Sequence, residues 1–180
     1  MRAPLLAASL LTASLAASLV PALASTALAD EKRELDSHTH GHVELKVAVE
    51  GDTLEIALEA PGESIVGFEH EARTDEQKTA VEAARKQLGD AAAIFALPDT
   101  AGCEVKSSNV ELHIEGEHSG FEASYSYSCA TPASLTSLET KLFTLYPAIE
   151  EIEVEYATPA GQGTGEMEPG NAKLDLPATS

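Results

Sequence analysis

The chain has 180 residues, with 30 acids against 11 bases and a formal charge of −19. So few bases exclude the positive patch that a nucleic-acid binder needs, and 43% hydrophobic residues exclude a chain disordered by composition. The length suits one domain with a proper core, whose surface repels phosphate and attracts cations.

Arg2 is the only charge before Asp30, and Leu5 to Ala29 is almost all Leu, Ala, Ser and Thr. The stretch ends Ala27-Leu28-Ala29-Asp30, a small-x-small site followed by a charge, with Ala22-Leu23-Ala24 as a second possible cut. This pattern predicts a cleaved secretory signal peptide over residues 1–29. The competing reading is an uncleaved membrane anchor, against which the small residues and Ser/Thr of the run count. No Cys follows the run to take a lipid. Removing residues 1–29 takes one base and no acids, which leaves a net charge of −20 on a single domain over 30–180.

Residues 30–42 form a polar segment containing His. Val43, Leu45, Val47 and Val49 then alternate with Glu44, Lys46, Ala48 and Glu50. Gly51-Asp52 is a turn, and Leu54, Ile56 and Leu58 alternate again. A hairpin follows, and its two-residue turn sets Glu50 opposite Thr53 and Glu44 opposite Glu59. Like charges so placed are unfavourable unless a cation or water separates them. Thr74 to Leu88 predicts a helix, with Thr74 and Gln77 as a capping box, Ala80, Val81, Ala84 and Leu88 as its apolar stripe, and Gly89 as its stop.

Ala93 to Leu97 is a short apolar segment, and Cys103 to Val105 and Val110 to Ile114 read as strands. Phe121 to Cys129 alternates strictly, with Phe121, Ala123, Tyr125, Tyr127 and Cys129 inward. Thr131-Pro132 predicts the start of a second helix with Leu135, Leu138, Leu142 and Leu145 as its stripe, ended by Pro147. Ile152, Val154 and Tyr156 make a last long strand, after which residues 160–180 form a Gly- and Pro-rich segment with one short strand near Lys173 to Leu176. The order predicts an α+β fold, an antiparallel or mixed sheet with two helices.

Cys103 and Cys129 are the only cysteines. An even count in an exported chain points to one disulfide, and a pair of metal thiolates is the alternative.

Six histidines carry the candidate chemistry. His38, His40 and His42 share one face if the segment is extended, and Glu44 continues that face. Imidazole is the commonest ligand for zinc and also serves copper and nickel. His70 stands between Glu69 and Glu71, either carboxylate of which can hold its ring or bind metal. His113 lies on a polar strand face between Glu111 and Glu115, and His118 follows in a turn from which both can reach one ion if the turn is tight. Glu44, Glu59 and Glu69 are the candidate acidic or outer-shell partners. Only Met167 outlasts leader removal, so a thioether copper(I) site is not supplied, and His with carboxylate favours zinc. Neither predicted mature start places a His third, which excludes the amino-terminal copper(II) site. A Gly-x-Ser-x-Gly elbow, a Walker loop and a His-Glu-x-x-His helix are all absent.

The ordered pieces resemble a family of exported bacterial proteins, formerly a domain of unknown function, that includes the ZrgA-type zinc-uptake proteins. The pieces are His38-x-His40-Gly41-His42, Pro61 followed by Gly67-Phe68-Glu69-His70, and Ala101-Gly102-Cys103. His118 leading to Phe121-x-Ala-x-Tyr125 follows, then Cys129-x-x-Pro132 with Leu135 and Leu138, Leu142-Phe143, Pro147, and Gly161-Gln162. The resemblance implies a periplasmic protein of Gram-negative bacteria that binds zinc and assists its uptake through a zinc ABC importer. Members often carry a long His- and acid-rich tract before the segment matching His118, where this chain has only Ile114 to Glu117. The expected function is therefore zinc capture at compact sites, without nucleic acid and without membrane insertion after leader cleavage. A periplasmic zinc hydrolase and an envelope protein-binding module with incidental His are the alternatives, and a copper carrier is a variant of the first reading.

Overall fold

The computed structural model describes residues 41–177. The leader read over 1–29, together with His38 and His40, lies outside the described residues.

The two alternating runs at the start pair as predicted. β1 (His42–Glu50) and β2 (Thr53–Pro61) form an antiparallel hairpin in which Glu50 faces Thr53 and Glu44 faces Glu59. A short helix α1 (Gly62–Val66) follows, then α2 (Asp75–Leu88) with the Thr74–Gln77 capping box in place. Val81, Ala84 and Leu88 of its stripe are buried, and Ala80 is half-buried. The apolar segment after it splits into α3 (Ala91–Ile94) and β3 (Phe95–Ala96). The two strand-like pieces around Ser107 are one long strand β4 (Cys103–Glu115), antiparallel to β5 (His118–Cys129) across a two-residue turn. Gly116 opens that turn at φ +62°, a conformation that side chains with a Cβ rarely take.

The second helix is a correction. Over Thr131–Leu145 the chain makes a 3₁₀ turn at Pro132–Ser134, a strand β6 (Ser137–Thr140) and a single-turn helix α4 (Leu142–Leu145). Leu135, Leu138 and Leu142 are buried as expected, but Leu138 and Thr140 alternate with exposed Glu139 along a strand. Tertiary pairing overrides the helical spacing. β6 has partners on both sides, β3 and β9 (Lys173–Asp175), which satisfy its backbone, whereas Ser, Thr and Pro give little helix propensity.

β7 (Glu151–Thr158) is the predicted last long strand, and it pairs in parallel with β1. The Gly-rich tail contributes β8 (Gly161–Met167), which the sequence concealed. Its Gly163 and Gly165 leave room for the Tyr156 ring and the Leu174 side chain, so the apolar alternation that marks a strand is missing. The main sheet runs β4-β5-β2-β1-β7-β8, and β3-β6-β9 make a small second sheet. With one parallel pair among antiparallel ones the main sheet is mixed, and the fold is α+β.

One face of the main sheet carries the core. Val43, Leu45, Leu54, Ile56, Phe121, Tyr125, Ile152 and Val154 are buried there. Tyr125 and Tyr127 donate hydrogen bonds to the carbonyls of Leu88 and Ala91, which seats the end of α2 and the start of α3 on this face. The Phe95 ring meets Tyr125 edge to face at 5.2 Å. Cys103 and Cys129 form the disulfide, as a cross-strand pair between β4 and β5. Among the described residues no helix is long and apolar enough to cross a membrane.

Candidate metal-binding site

The four described histidines lie at one end of the main sheet. His42 opens β1 and His118 opens β5, while His113 lies near the close of β4. His70 is on the loop between α1 and α2, and α1 follows directly from the end of β2. Strand direction explains the gathering, because β1, β5 and β7 begin at the end where β2 and β4 finish.

The best-formed pair joins two distant pieces. His118 Nδ1 lies 2.8 Å from Glu69 Oε2. The carboxylate is mostly buried, with 15% of its side chain exposed, while the imidazole is 60% exposed. Glu69 is placed by the turn after α1, where Gly67 caps the helix in the left-handed region and donates to Glu63 O. Gly62 lets this turn sit against β5, since a Cβ there would lie 2.7 Å from Ser119 O and 2.8 Å from Phe68 O.

His70 is held in a defined orientation. Its ring stacks on Phe68 at 5.2 Å, and Nδ1 donates to Glu71 O at 2.9 Å. A carbonyl only accepts, so Nδ1 carries the proton and Nε2 the lone pair. That Nε2 stands 3.5 Å from Gln77 Nε2, a long contact. Gln77 Oε1 meanwhile accepts from the amides of Arg73 and Thr74. The cap of α2 therefore also orients the histidine.

His42 stands on the outer face of β1, as does Glu44, with Nδ1 4.0 Å from Glu151 Oε2 on the parallel neighbour β7. The chain just before it is pinned. Gly41 N donates to the buried Ser64 Oγ of α1 at 3.2 Å, and Gly41 O accepts from the amides of Glu150 and Glu151. His113 is exposed and faces Gly120 of β5, diagonal to His118 on the same face. Glu44 and Glu59 face each other as expected, and the cation between them is the ammonium of Lys46, 3.9 Å from Glu44 Oε2 and 3.1 Å from Glu59 Oε1. Among the described residues no three His, Cys, Asp or Glu side chains already stand close enough to share one ion.

Ser64, Gln77 and Glu151 shape this end and were not singled out as such by sequence reasoning. Gln77 was visible as a capping residue, but its second contact is tertiary. Glu151 becomes a neighbour of His42 only through the parallel β1–β7 pairing.

The chain was compared with known proteins. None of the curated proteins searched matches it. A family model described as ZrgA family zinc uptake protein matches residues 37–176, which spans the disulfide, every strand described above and all six histidines. The chain belongs to the ZrgA family of zinc uptake proteins.

Proposed function

We propose that this protein is a periplasmic zinc-binding accessory protein that captures zinc and assists its uptake through an ABC importer. Family membership supports the zinc-uptake role. The observation that carries the site is the Glu69–His118 pair, at the end of the sheet where the described histidines gather. A histidine that ligates a metal through one ring nitrogen usually gives the other to a carboxylate or a carbonyl. His118 does so with Glu69 and His70 with Glu71 O, the arrangement in which Nε2 is the nitrogen that would take a metal. Gly41, the first described residue, follows His40 directly in the chain and is held at this end of the sheet by Ser64.

In this reading His118, His70, His38 and His40 take the zinc directly and Glu69 holds the His118 ring. His42 and His113, on the outer face of the sheet, are further ligands. Ligands drawn from separate surface elements suit capture and release better than a closed four-ligand cage would. Zinc here is cargo, so the role is that of a carrier and not of an enzyme.

Calorimetry of the exported chain with zinc tests the reading. Micromolar or tighter binding is expected, weakened when His38, His40 and His42 become Ala and again by His118→Ala. It should also weaken in acid, because a protonated imidazole cannot ligate. Millimolar affinity, or affinity indifferent to these changes, rejects the proposal. Release of the protein by osmotic shock tests its location.

A further inference from the structure

The outer face of the main sheet carries a feature that no single strand reveals. Glu111 on β4 pairs in register with Glu122 on β5, and Glu122 with Glu59 on β2. Glu59 pairs with Glu44 on β1, Glu44 with Glu153 on β7, and Glu153 with Glu166 on β8. One glutamate from every strand thus forms a continuous row across the sheet. At the usual strand spacing the row is about 24 Å long.

Like charges directly across strands are unfavourable. Among the described residues Lys46, which serves Glu44 and Glu59, is the one Lys or Arg in the adjoining rows. Beside the row lies a hollow of about 610 Å³ on the same face, with a floor of small side chains at Ala48, Ala57, Ser124 and Ala157. α2 and α3 sit on the other face, and Glu44, Glu111, Glu122, Glu153 and Glu166 of the row are exposed.

We propose that this face is a docking surface for a partner protein presenting a stripe of lysine and arginine side chains. The stripe seats on the glutamate row, and the partner's smaller side chains settle in the hollow. Three features choose this occupant. The row is far longer than any ion or small metabolite. Its sign repels nucleic acid and anionic lipid surfaces, and complementary charge steers a basic protein onto it. The hollow's small-residue floor gives a side chain room, and Glu55 and Glu155 on its walls suit a basic one. His42 and His113 stand one step along their strands from the row, so a docked partner would lie beside the candidate zinc ligands. That last point rests on the zinc reading, and the docking surface does not.

The test titrates the exported chain with a labelled dodecalysine peptide at 0.15 M salt, following peptide anisotropy and the amide spectrum. E122Q/E153Q/E166Q removes three charges from the row. E82Q/D99N/E139Q removes three exposed charges elsewhere and serves as the control. The row variant should lose at least tenfold in affinity, the control less than twofold, and wild-type amide shifts should centre on Ala48, Ala57, Ser124 and Ala157. Equal losses in both variants, or shifts spread evenly over the acidic surface, would overturn the proposal. The amide spectrum of each variant reports its fold. Zinc calorimetry on the same variants should be unchanged, which separates failure of the docking surface from failure of the zinc reading.

Discussion

Glu69 Oε2 lies 2.8 Å from His118 Nδ1, although 49 residues separate them in the chain. The contact exists because the turn after α1 packs on the start of β5. The carboxylate accepts from Nδ1–H and fixes the tautomer and orientation of the ring. Glu69→Gln should therefore weaken zinc binding by roughly 10-fold or more, with His118→Ala costing more still. Calorimetry checks both. Unchanged affinity in Glu69→Gln would remove this carboxylate from the site.

Gly62 is the hinge of the same contact. A Cβ at this position meets the backbone oxygens of Ser119 and Phe68 at 2.7 and 2.8 Å. Neither neighbour is the flexible end of a side chain, so something must shift. Gly62→Ala should cost about 1–3 kcal/mol of stability and should also lower zinc affinity, since Phe68 and Glu69 move together. Urea unfolding and calorimetry on one sample separate the two effects.

Tyr125 is fully buried and its Oη donates to Leu88 O at 2.9 Å. Tyr125→Phe keeps the ring and its edge contact with Phe95 but removes the donor. The helix-end carbonyl then loses a buried partner, and stability should fall by about 1–2 kcal/mol. A change under a few tenths in denaturant midpoint would show that water replaces the hydroxyl.

Burial pushes the Tyr127 and Tyr146 phenols up to about 12, and Tyr125 higher still. In the unfolded chain these groups lose their protons near pH 10. The folded state therefore holds more protons above that pH, so stability is complete below about pH 10 and declines as pH rises toward 12. Thermal melts should be flat to about pH 9.5 and fall steeply beyond. Tyrosinate absorbance from all these rings at pH 10, in a still-folded protein, would contradict the expectation.

The Cys103–Cys129 bond ties the edge strand β4 to β5 at the end away from their turn, closing a separation of 26 residues. Replacing both cysteines by Ser should cost about 3–4 kcal/mol through the freedom restored to the unfolded chain. The four described histidines lie at the opposite end of the sheet, so zinc affinity of the folded variant should hold. Guanidine unfolding and calorimetry measure the two.

Much of this protein was legible from local pattern. The β1–β2 register, the Glu44–Glu59 pairing, the capped helix at Thr74 and the inward face of β5 follow from alternation, a two-residue turn and a capping box. These are short-range rules that act within a hairpin or a helix turn. The segment after Thr131 misled for the opposite reason. Its leucines suit a helix stripe, and only the presence of β3 and β9 as pairing partners makes Ser137–Thr140 a strand.

The sequence by itself determined that the chain is acidic, that its histidines are few and clustered, and that Cys103 and Cys129 would meet. The tertiary structure decided which of these residues become neighbours. Glu69 reaches His118, Gly41 is held by Ser64, and six glutamates from six strands align, because strand order and register are set by burial of the opposite face. A strand turns its outer residues wherever its inner ones must go, so the composition of the outer face is written locally and its geometry is written by the core.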